Sequence, residues 1–228
     1  MMSKNNKAVK QEGSGYFFNA GAARYRDKTG RFISNTRLVE MRNTFIDAQK
    51  DEMARFAQQL SNGQISRFEW TLKMRKSINE TQTAEYLAGI GGRNNFTAAD
   101  QRKLEGIIHK QYTYLEGFET DIQLRGRSIE TAMSEAQIAE RSKLYMEAST
   151  QAFEQAKGEA RGIPQLPQYP GDGSTQCGTN CRCHWNIKQV DGNWSATWTL
   201  NPQAEHCPDC DSNSHRWAPL LVPARVGA

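Results

Sequence analysis

The sequence predicts a mainly α protein. It comprises an extended helical hairpin or bundle with an N-terminal β-hairpin arm and a small C-terminal cysteine-rich β module. Three observations lead to this fold class. Apolar residues recur at three- and four-residue steps over residues 36–161, the spacing of one helical face. An aromatic and basic segment surrounds a turn signal at residues 27–30. All five cysteines lie beyond residue 176.

Shifts in composition divide the chain into four segments. Residues 1–35 predict a basic N-terminal arm with a docking hairpin, and residues 36–162 predict the long-helix domain. Residues 163–176 are rich in proline and glycine and predict a linker. Residues 177–228 contain the cysteines together with most of the tryptophans, which are expected to form the core of a zinc-knuckle-like module.

The net charge of +4 is distributed unevenly. Residues 1–42 have nine Lys/Arg against three Asp/Glu, a net charge of +6, whereas residues 164–228 have four against five. A basic arm can contact DNA or an acidic protein surface, although residues 1–15 can equally be a disordered solubilising tail. No apolar run is long enough for a membrane span, and the N-terminus does not match a signal peptide. We therefore expect no membrane association and a reducing cytosol.

The segment from residue 16 to residue 34 alternates aromatic and basic side chains around the turn sequence DKTG. We expect Gly30 to adopt a positive φ in this turn, with Tyr25 before it and Phe32 after it in a short hairpin. A lone hairpin is unstable in water, so this one is expected to dock on another surface. The residues predicted to dock on a partner are Tyr16, Phe17, Tyr25, Arg26, Arg31 and Phe32.

The first two helices of the long-helix domain can be bounded from local signals. The sequence Ser-Asn-Gly at residues 61–63 ends the first helix. The second helix is expected from about Ser66 to Leu87, with Phe68 and Leu72 facing inward.

The third and fourth helices have N-cap signals of their own. Thr97 is a good N-cap with Asp100 at the capping-box position, and Ser128 is predicted to cap the fourth helix after Gly126 ends the third. The helices are long and only moderately apolar. Their remaining faces are therefore expected to need a partner.

The cysteines follow the pattern C-x3-C-x-C-H, then a spacer, then H-C-P-D-C. Apolar and polar residues alternate around Asp191-Gly192, which predicts a hairpin that brings the two cysteine groups together. Converging thiols point to a structural zinc, while reduced thiols without metal and a disulfide are the alternatives. His184 and His206 are expected to be neighbours of the site rather than ligands. The candidate metal ligands, of which four are needed, are Cys177, Cys181, Cys183, Cys207 and Cys210.

The sequence favours a protein that is not an enzyme. It has no nucleophile elbow, P-loop or H-E-x-x-H motif, and a thiolate-rich metal site leaves no open position for water. A nuclease using His184 and Asp209 is the enzymatic alternative. A zinc-knuckle nucleic-acid-binding protein is another alternative, with Trp185, Trp194 and Trp198 stacking on bases.

Two stretches resemble a known family. One is Y-R-D-K-T-G-R-F-I-S at residues 25–34, which long polar helices follow, and the other is N-C-R-C at residues 180–183 with C-P-D-C at residues 207–210. This arrangement is similar to the minor head proteins of tailed bacteriophages, the Mu-type head-morphogenesis family. In that family the C-x2-C usually precedes the N-C-R-C element, whereas here it follows.

The resemblance implies a structural virion protein that is a minor capsid or portal-associated component acting in head morphogenesis. Such a protein is assembled in the host cytoplasm, contacts the portal protein, the major capsid protein or both, and is a homo-oligomer in the particle. The resemblance also implies that the five cysteines form the family's metal or structural cluster.

Overall fold

The computed structural model describes most of the chain. Helices dominate, a two-stranded antiparallel hairpin precedes them, and a three-stranded sheet follows them beside the cysteines, which confirms the mainly α class. Among the described helices, none is both long and apolar enough to cross a membrane. Residues 1–15 of the predicted N-terminal arm, for which a disordered tail was the alternative, and Asn180 lie outside the described residues. The described residues are 16–19, 22, 24–126, 128, 132–163, 166–178, 181–202 and 204–223.

The bundle is built from five helices of the described chain: α1 (Asn35–Ser61), α2 (Arg67–Ile90), α3 (Ala98–Arg125), α4 (Glu135–Glu147) and α5 (Ser149–Ala160). Helix α2 lies at the centre, because α1, α3 and α5 all pack against it. Helix α4 packs against α1, and only Ala148 separates α4 from α5. A single 3-10 turn at Arg93–Asn95 stands between α2 and α3.

Side-chain caps define where the helices begin. The Ser66 hydroxyl accepts a hydrogen bond from the backbone N–H of Glu69, whose carboxylate accepts one from Ser66, a complete capping box. Thr97 and Asp100 form the same arrangement before α3, as predicted. The prediction that Ser128 caps the fourth helix is wrong. Ser134 caps α4 instead, because Gln137 stands three residues after it and completes a capping box there.

The predicted inward face of α2 is wrong. Phe68 and Leu72 are 69% and 50% exposed, whereas Trp70, Met74 and Ile78 are fully buried. A two-residue offset turns a side chain by about 200° around a helix, so the two sets lie on opposite sides. Trp70 packs edge-on against a phenylalanine of α3, with ring centroids 5.4 Å apart, at the centre of the bundle.

The N-terminal hairpin consists of β1 (Tyr16–Asn19) and β2 (Arg24–Asp27), paired antiparallel. The predicted turn after β2 is confirmed, with Gly30 at a φ of 84°. The expected pairing across this turn is confirmed, with Phe32 bridged to Arg26 and the Ile33 N–H donating to the carbonyl of Tyr25, but it extends no further. The reason is the early start of α1. Its N-cap follows two residues after Phe32, so no room is left for a longer strand.

The hairpin docks on this chain's own helices. Its buried aromatic side chains pack around Phe153 of α5, with ring centroids 6.2 Å away for Tyr16 and 5.7 Å away for Tyr25. The backbone of β1 also approaches the end of α2 closely. A Cβ built on Gly91 would lie 2.2 Å from the carbonyl oxygen of Phe18, so only glycine allows this contact.

The C-terminal module contains β3 (His184–Val190), β4 (Asn193–Thr199), α6 (Pro208–Arg216) and β5 (Leu220–Val222), with strand order β3-β4-β5. The predicted turn at Asp191 and Gly192 is confirmed, with φ values of 50° and 78°. The core of the module is a triangle of three tryptophan rings with centroids 5.3–5.8 Å apart.

The segment predicted as a linker takes part in this core. Ile163, Leu166 and Tyr169 are buried against the tryptophans and cysteines of the module. The Tyr169 hydroxyl also accepts a hydrogen bond from the backbone N–H of Leu166. Over its described residues, the segment is therefore packed rather than a free tether.

Two helical glycines provide a test of the packing between α2 and α5. A Cβ at Gly89 would lie 2.6 Å from the carbonyl oxygen of Phe153, whereas a Cβ at Gly106 of α3 has nothing within 4 Å. We expect Gly89→Ala to destabilise the protein by about 1–3 kcal/mol through overpacking. Gly106→Ala should stabilise it by about 0.5–1 kcal/mol, because alanine is the better helix former. Urea unfolding measures both, and equal stabilisation by the two variants would contradict the close packing.

Candidate metal centre

The fold brings the cysteines together from three places in the chain. Cys181 and Cys183 lie immediately before β3, at the open end of the β3–β4 hairpin. Cys207 is the N-cap residue of α6, and Cys210 is in the first turn of that helix. Cys177 comes from the segment before β3. The predicted convergence of the five cysteines at one locus is therefore confirmed.

The sulfur atoms form a continuous cluster. The Sγ atom of Cys177 is 3.3 Å from that of Cys207 and 3.4 Å from that of Cys210, which in turn is 3.5 Å from the Sγ atom of Cys181. These distances exceed a disulfide bond of about 2.05 Å, and all five cysteines are free. The sulfurs form two groups of three, and within each group the three atoms lie within 4.8 Å of one another. Cys210 belongs to both groups. Cys177 and Cys207 complete the first group, and Cys181 and Cys183 complete the second.

Hydrogen bonds hold the segment before β3 against α6. The carboxylate of Asp209 accepts a hydrogen bond from the backbone N–H of Gln176 at 2.8 Å, which fixes the neighbouring Cys177. The Thr175 hydroxyl lies 3.4 Å from the Sγ atom of Cys177. Asp209 is therefore used as a structural acceptor, so it is not a free carboxylate beside the thiols.

The surroundings shift the pKa values of these thiols in different directions. Burial raises the pKa of Cys177 to about 11, and burial together with the neighbouring thiols raises the pKa of Cys210. The pKa of Cys181 is raised chiefly by its hydrogen bond with Cys183 and by burial. Burial also opposes ionisation of Cys207, but hydrogen bonds from the backbone of Cys210 and from Cys177 outweigh it and lower that pKa.

The cluster can bind a metal ion. Adjacent thiolates repel one another, so their joint ionisation needs a cation among them. The donor set fits a thiophilic metal, since every member of the two sulfur groups is a cysteine. In a tetrahedral zinc site with Zn–S bonds of about 2.3 Å, the sulfurs are about 3.8 Å apart. The three sulfur separations given above, 3.3–3.5 Å, are slightly below that value.

The histidines of the module lie outside the two sulfur groups. His184 faces Glu154 and Lys157 of α5, and burial lowers its pKa to about 4, so its imidazole is neutral at pH 7. His206 is half-buried and His215 is exposed on α6. His184 and His206 therefore adjoin cysteines in the chain without belonging to either sulfur group, as predicted.

Two of the three tryptophans considered for stacking on bases are inaccessible. Trp185 and Trp198 are each 1% exposed, within the core of the module, and Trp194 is half-buried. Base stacking requires an accessible aromatic face. The first two of these tryptophans therefore serve the core of the module.

Hydrogen bonds between α5 and β3, here called the joint, attach the module to the bundle. The joint was not predicted from the sequence. The backbone N–H of Trp185 donates to the carboxylate of Glu154 at 2.9 Å, and the carbonyl of the same residue accepts from the Lys157 ammonium at 2.8 Å. The Arg161 guanidinium, at the C-cap of α5, donates to the carbonyl of Ile187. Side chains of α5 and its C-cap thus satisfy the first half of the outer edge of β3.

The joint continues into a buried ionic network. Arg42 of α1 donates to Glu85 of α2 at 2.9 Å, and its guanidinium lies 3.7 Å from the Glu154 carboxylate. Glu85 also accepts a hydrogen bond from the Tyr16 hydroxyl of β1. Burial lowers the pKa of Lys157 to about 8, although its contact with Glu154 at 2.5 Å acts in the opposite direction. The sequence offers no specific signal for this network, because the charged residues of α5 have the spacing of a solvated face.

The residues predicted to dock on a partner divide into three groups. Tyr16 and Tyr25 are buried against the chain's own helices. Phe17 and Arg26 are half-buried, and Arg31 and Phe32 are exposed. Contact of these residues with another protein stays a prediction.

Comparison with known proteins gives no assignment, since no family model, curated protein or solved structure matches this chain.

The joint predicts a large cost for removing Glu154. Glu154→Ala leaves Arg42 and Lys157 without their shared carboxylate and the Trp185 N–H without an acceptor, all in a buried setting. We expect the free energy of unfolding to fall by about 3–5 kcal/mol. The matched control is Glu140→Ala, which removes an exposed ion pair with Lys143 and should cost less than about 1 kcal/mol. Similar urea midpoints for the two variants would contradict a structural role for the joint.

Proposed function

We propose that this protein is a structural component of a tailed-phage head, a minor capsid or portal-associated protein that acts in head assembly. The resemblance of its two motif stretches to Mu-type head-morphogenesis proteins supports the proposal. In this role the protein catalyses no reaction. It provides a rigid body that other head proteins contact, with several copies in the assembled particle.

The observation that carries the proposal is the set of apolar side chains on the outside of the bundle. Phe68 and Leu72 are one turn apart on the exposed face of α2, and Tyr114 and Leu124 are about half exposed on the adjacent helix α3. A pair of apolar residues at i and i+4 is the usual anchor of a helix in a protein interface. These residues give α2 and α3 a face for a neighbouring head protein.

The exposed tip of the N-terminal hairpin provides a second contact. Because Tyr16 and Tyr25 fix the strands to the bundle, Arg31 and Phe32 are presented at a defined position. In the proposed head, this tip contacts the portal or the major capsid protein.

The metal in the proposal is a structural zinc ion. The donors that fit best are Cys177, Cys207 and Cys210, which form one of the sulfur groups, together with Cys181, whose sulfur is 3.5 Å from that of Cys210. Cys183 is then the fifth, unligated thiol. Zinc would supply a crosslink between the start of β3, α6 and the segment before β3, and this crosslink would hold a module with a small core.

Metal analysis of single variants tests this ligand set. We expect one zinc ion per chain in the wild-type protein and in Cys183→Ser. Cys181→Ser should lose most of the zinc, because it removes one of the four thiolates. Elemental analysis and thiol titration measure both quantities. Retention of zinc by Cys181→Ser together with its loss from Cys183→Ser would assign the fourth ligand to Cys183 instead.

The assembly role can be tested with the exposed pair on α2. We expect the wild-type chain to bind the portal or major capsid protein encoded in the same genome. Phe68→Ser combined with Leu72→Ser should weaken that binding at least tenfold without loss of stability, because both side chains are exposed. Leu221→Ser, which alters a side chain 68% exposed on β5, is the control. Binding to neither head protein, measured by co-purification and by sedimentation, would contradict the proposal.

A further inference from the structure

A basic groove lies where the N-terminal hairpin, α1, α5 and β3 meet. It encloses a cavity of about 370 Å³, and Glu154 is the one carboxylate among the described residues that line it. Positively charged side chains reach the groove from all four elements. They are Arg24, Arg42, Lys157, Arg161 and Lys188.

Pairing inside the protein neutralises only part of this charge. Arg42 and Lys157 are balanced by the carboxylates of Glu85 and Glu154. Within the described part of the chain, the other three cations have no carboxylate within salt-bridge distance. These unbalanced cations are Arg24, Arg161 and Lys188.

The N-terminus of α1 adds positive potential to the same groove. Ser34 and Asn35 line the cavity, and the first turn of α1 contains no acidic residue to offset the helix dipole. Arg42, one of the lining residues, is more than nine-tenths buried, and its Nη2 atom has no hydrogen-bond partner in the described structure. A helix terminus and an under-used guanidinium therefore face the same space.

An aromatic ring stacks with Arg24, which lines the groove, and with a second guanidinium group. Arg24 and Arg26 lie over the ring of Phe32, with guanidinium carbons 4.7 Å and 4.2 Å from the ring centroid. Such stacking restricts the side chains before any ligand binds. The planar fork of arginine suits the paired oxygens of a phosphate group.

We propose that this groove binds the phosphate groups of a nucleic-acid strand. The unbalanced cations come from three different elements, an arrangement that suits consecutive phosphates along a backbone. An adjoining cavity of about 500 Å³ shares Arg42 and His184 but adds three carboxylates, Glu40, Asp47 and Glu147, against one further cation, Arg182, so it is less favourable for a phosphate backbone. The proposal goes beyond the head-assembly role and does not depend on it.

Fluorescence anisotropy of the full chain with a labelled single-stranded oligonucleotide tests the proposal. Arg24→Ala combined with Lys188→Ala changes two exposed side chains, so the fold should be retained with an unchanged urea midpoint. We expect at least tenfold weaker binding. The slope of log affinity against log salt should fall by about 1.4, the value for two lost phosphate contacts with a single strand. The control Lys76→Ala with Arg102→Ala removes the same net charge from exposed positions on the bundle and should leave binding unchanged.

Three further measurements distinguish strand binding in this groove from binding by the N-terminal arm, by a small-anion site or by an acidic-peptide site. Changing Lys4, Lys7 and Lys10 together to glutamine tests the arm, and the groove is supported if most of the affinity persists. Loss of binding in that variant, with full binding by the Arg24 and Lys188 variant, would overturn the proposal. Inorganic phosphate or polyglutamate at matched ionic strength should compete weakly. Competition as strong as by unlabelled oligonucleotide would instead show a small-anion site or an acidic-peptide site.

Discussion

The carboxylate of Glu154 joins the three parts of this protein. It is fully buried, and it contacts Lys157 on its own helix, Arg42 on α1 and the backbone of Trp185 in β3. Arg42 extends the connection through Glu85 to the N-terminal hairpin. A buried charge is costly unless it is paired and hydrogen-bonded, so separating these parts would leave buried charges without partners. The position of the module on the bundle therefore depends on one ionic network.

Such a network contributes specificity more than net stability. Desolvation of the charges offsets much of their attraction, but a wrong docking arrangement would leave the charges unpaired. The outer edge of β3 is protected in a similar way. Lys157 and Arg161 donate hydrogen bonds to carbonyl groups that could otherwise pair with another strand. The cysteine cluster acts beside this joint, because Cys183 lies only two residues before Trp185. One strand is thus held at its start by the thiols and along its outer edge by α5.

The features that could be predicted from the sequence are determined by residues close together in the chain. The capping box at Thr97, the left-handed Gly30 and the tight turn at Asp191 are each decided within about four residues. The turn pairs β3 with β4 and so returns the chain after β4 toward the cysteines that precede β3. The inward face of α2 was not predictable in this way. Helix α2 is central and packs on several sides, so it has no single apolar stripe, and an exposed Phe68 looks like a core residue.

The joint and the basic groove could not be predicted from the sequence, for a related reason. Glu154, Lys157 and Arg161 have the spacing of a solvated charged face, and only the docking of β3 on that face makes them structural. The same docking sets Lys188 beside Arg24, although the two residues are far apart in the chain. Because β3 begins at the cysteine cluster, contacts α5 and lines the groove, one strand connects all three sites. A metal that orders the start of β3 would therefore also fix where Lys188 stands in the groove.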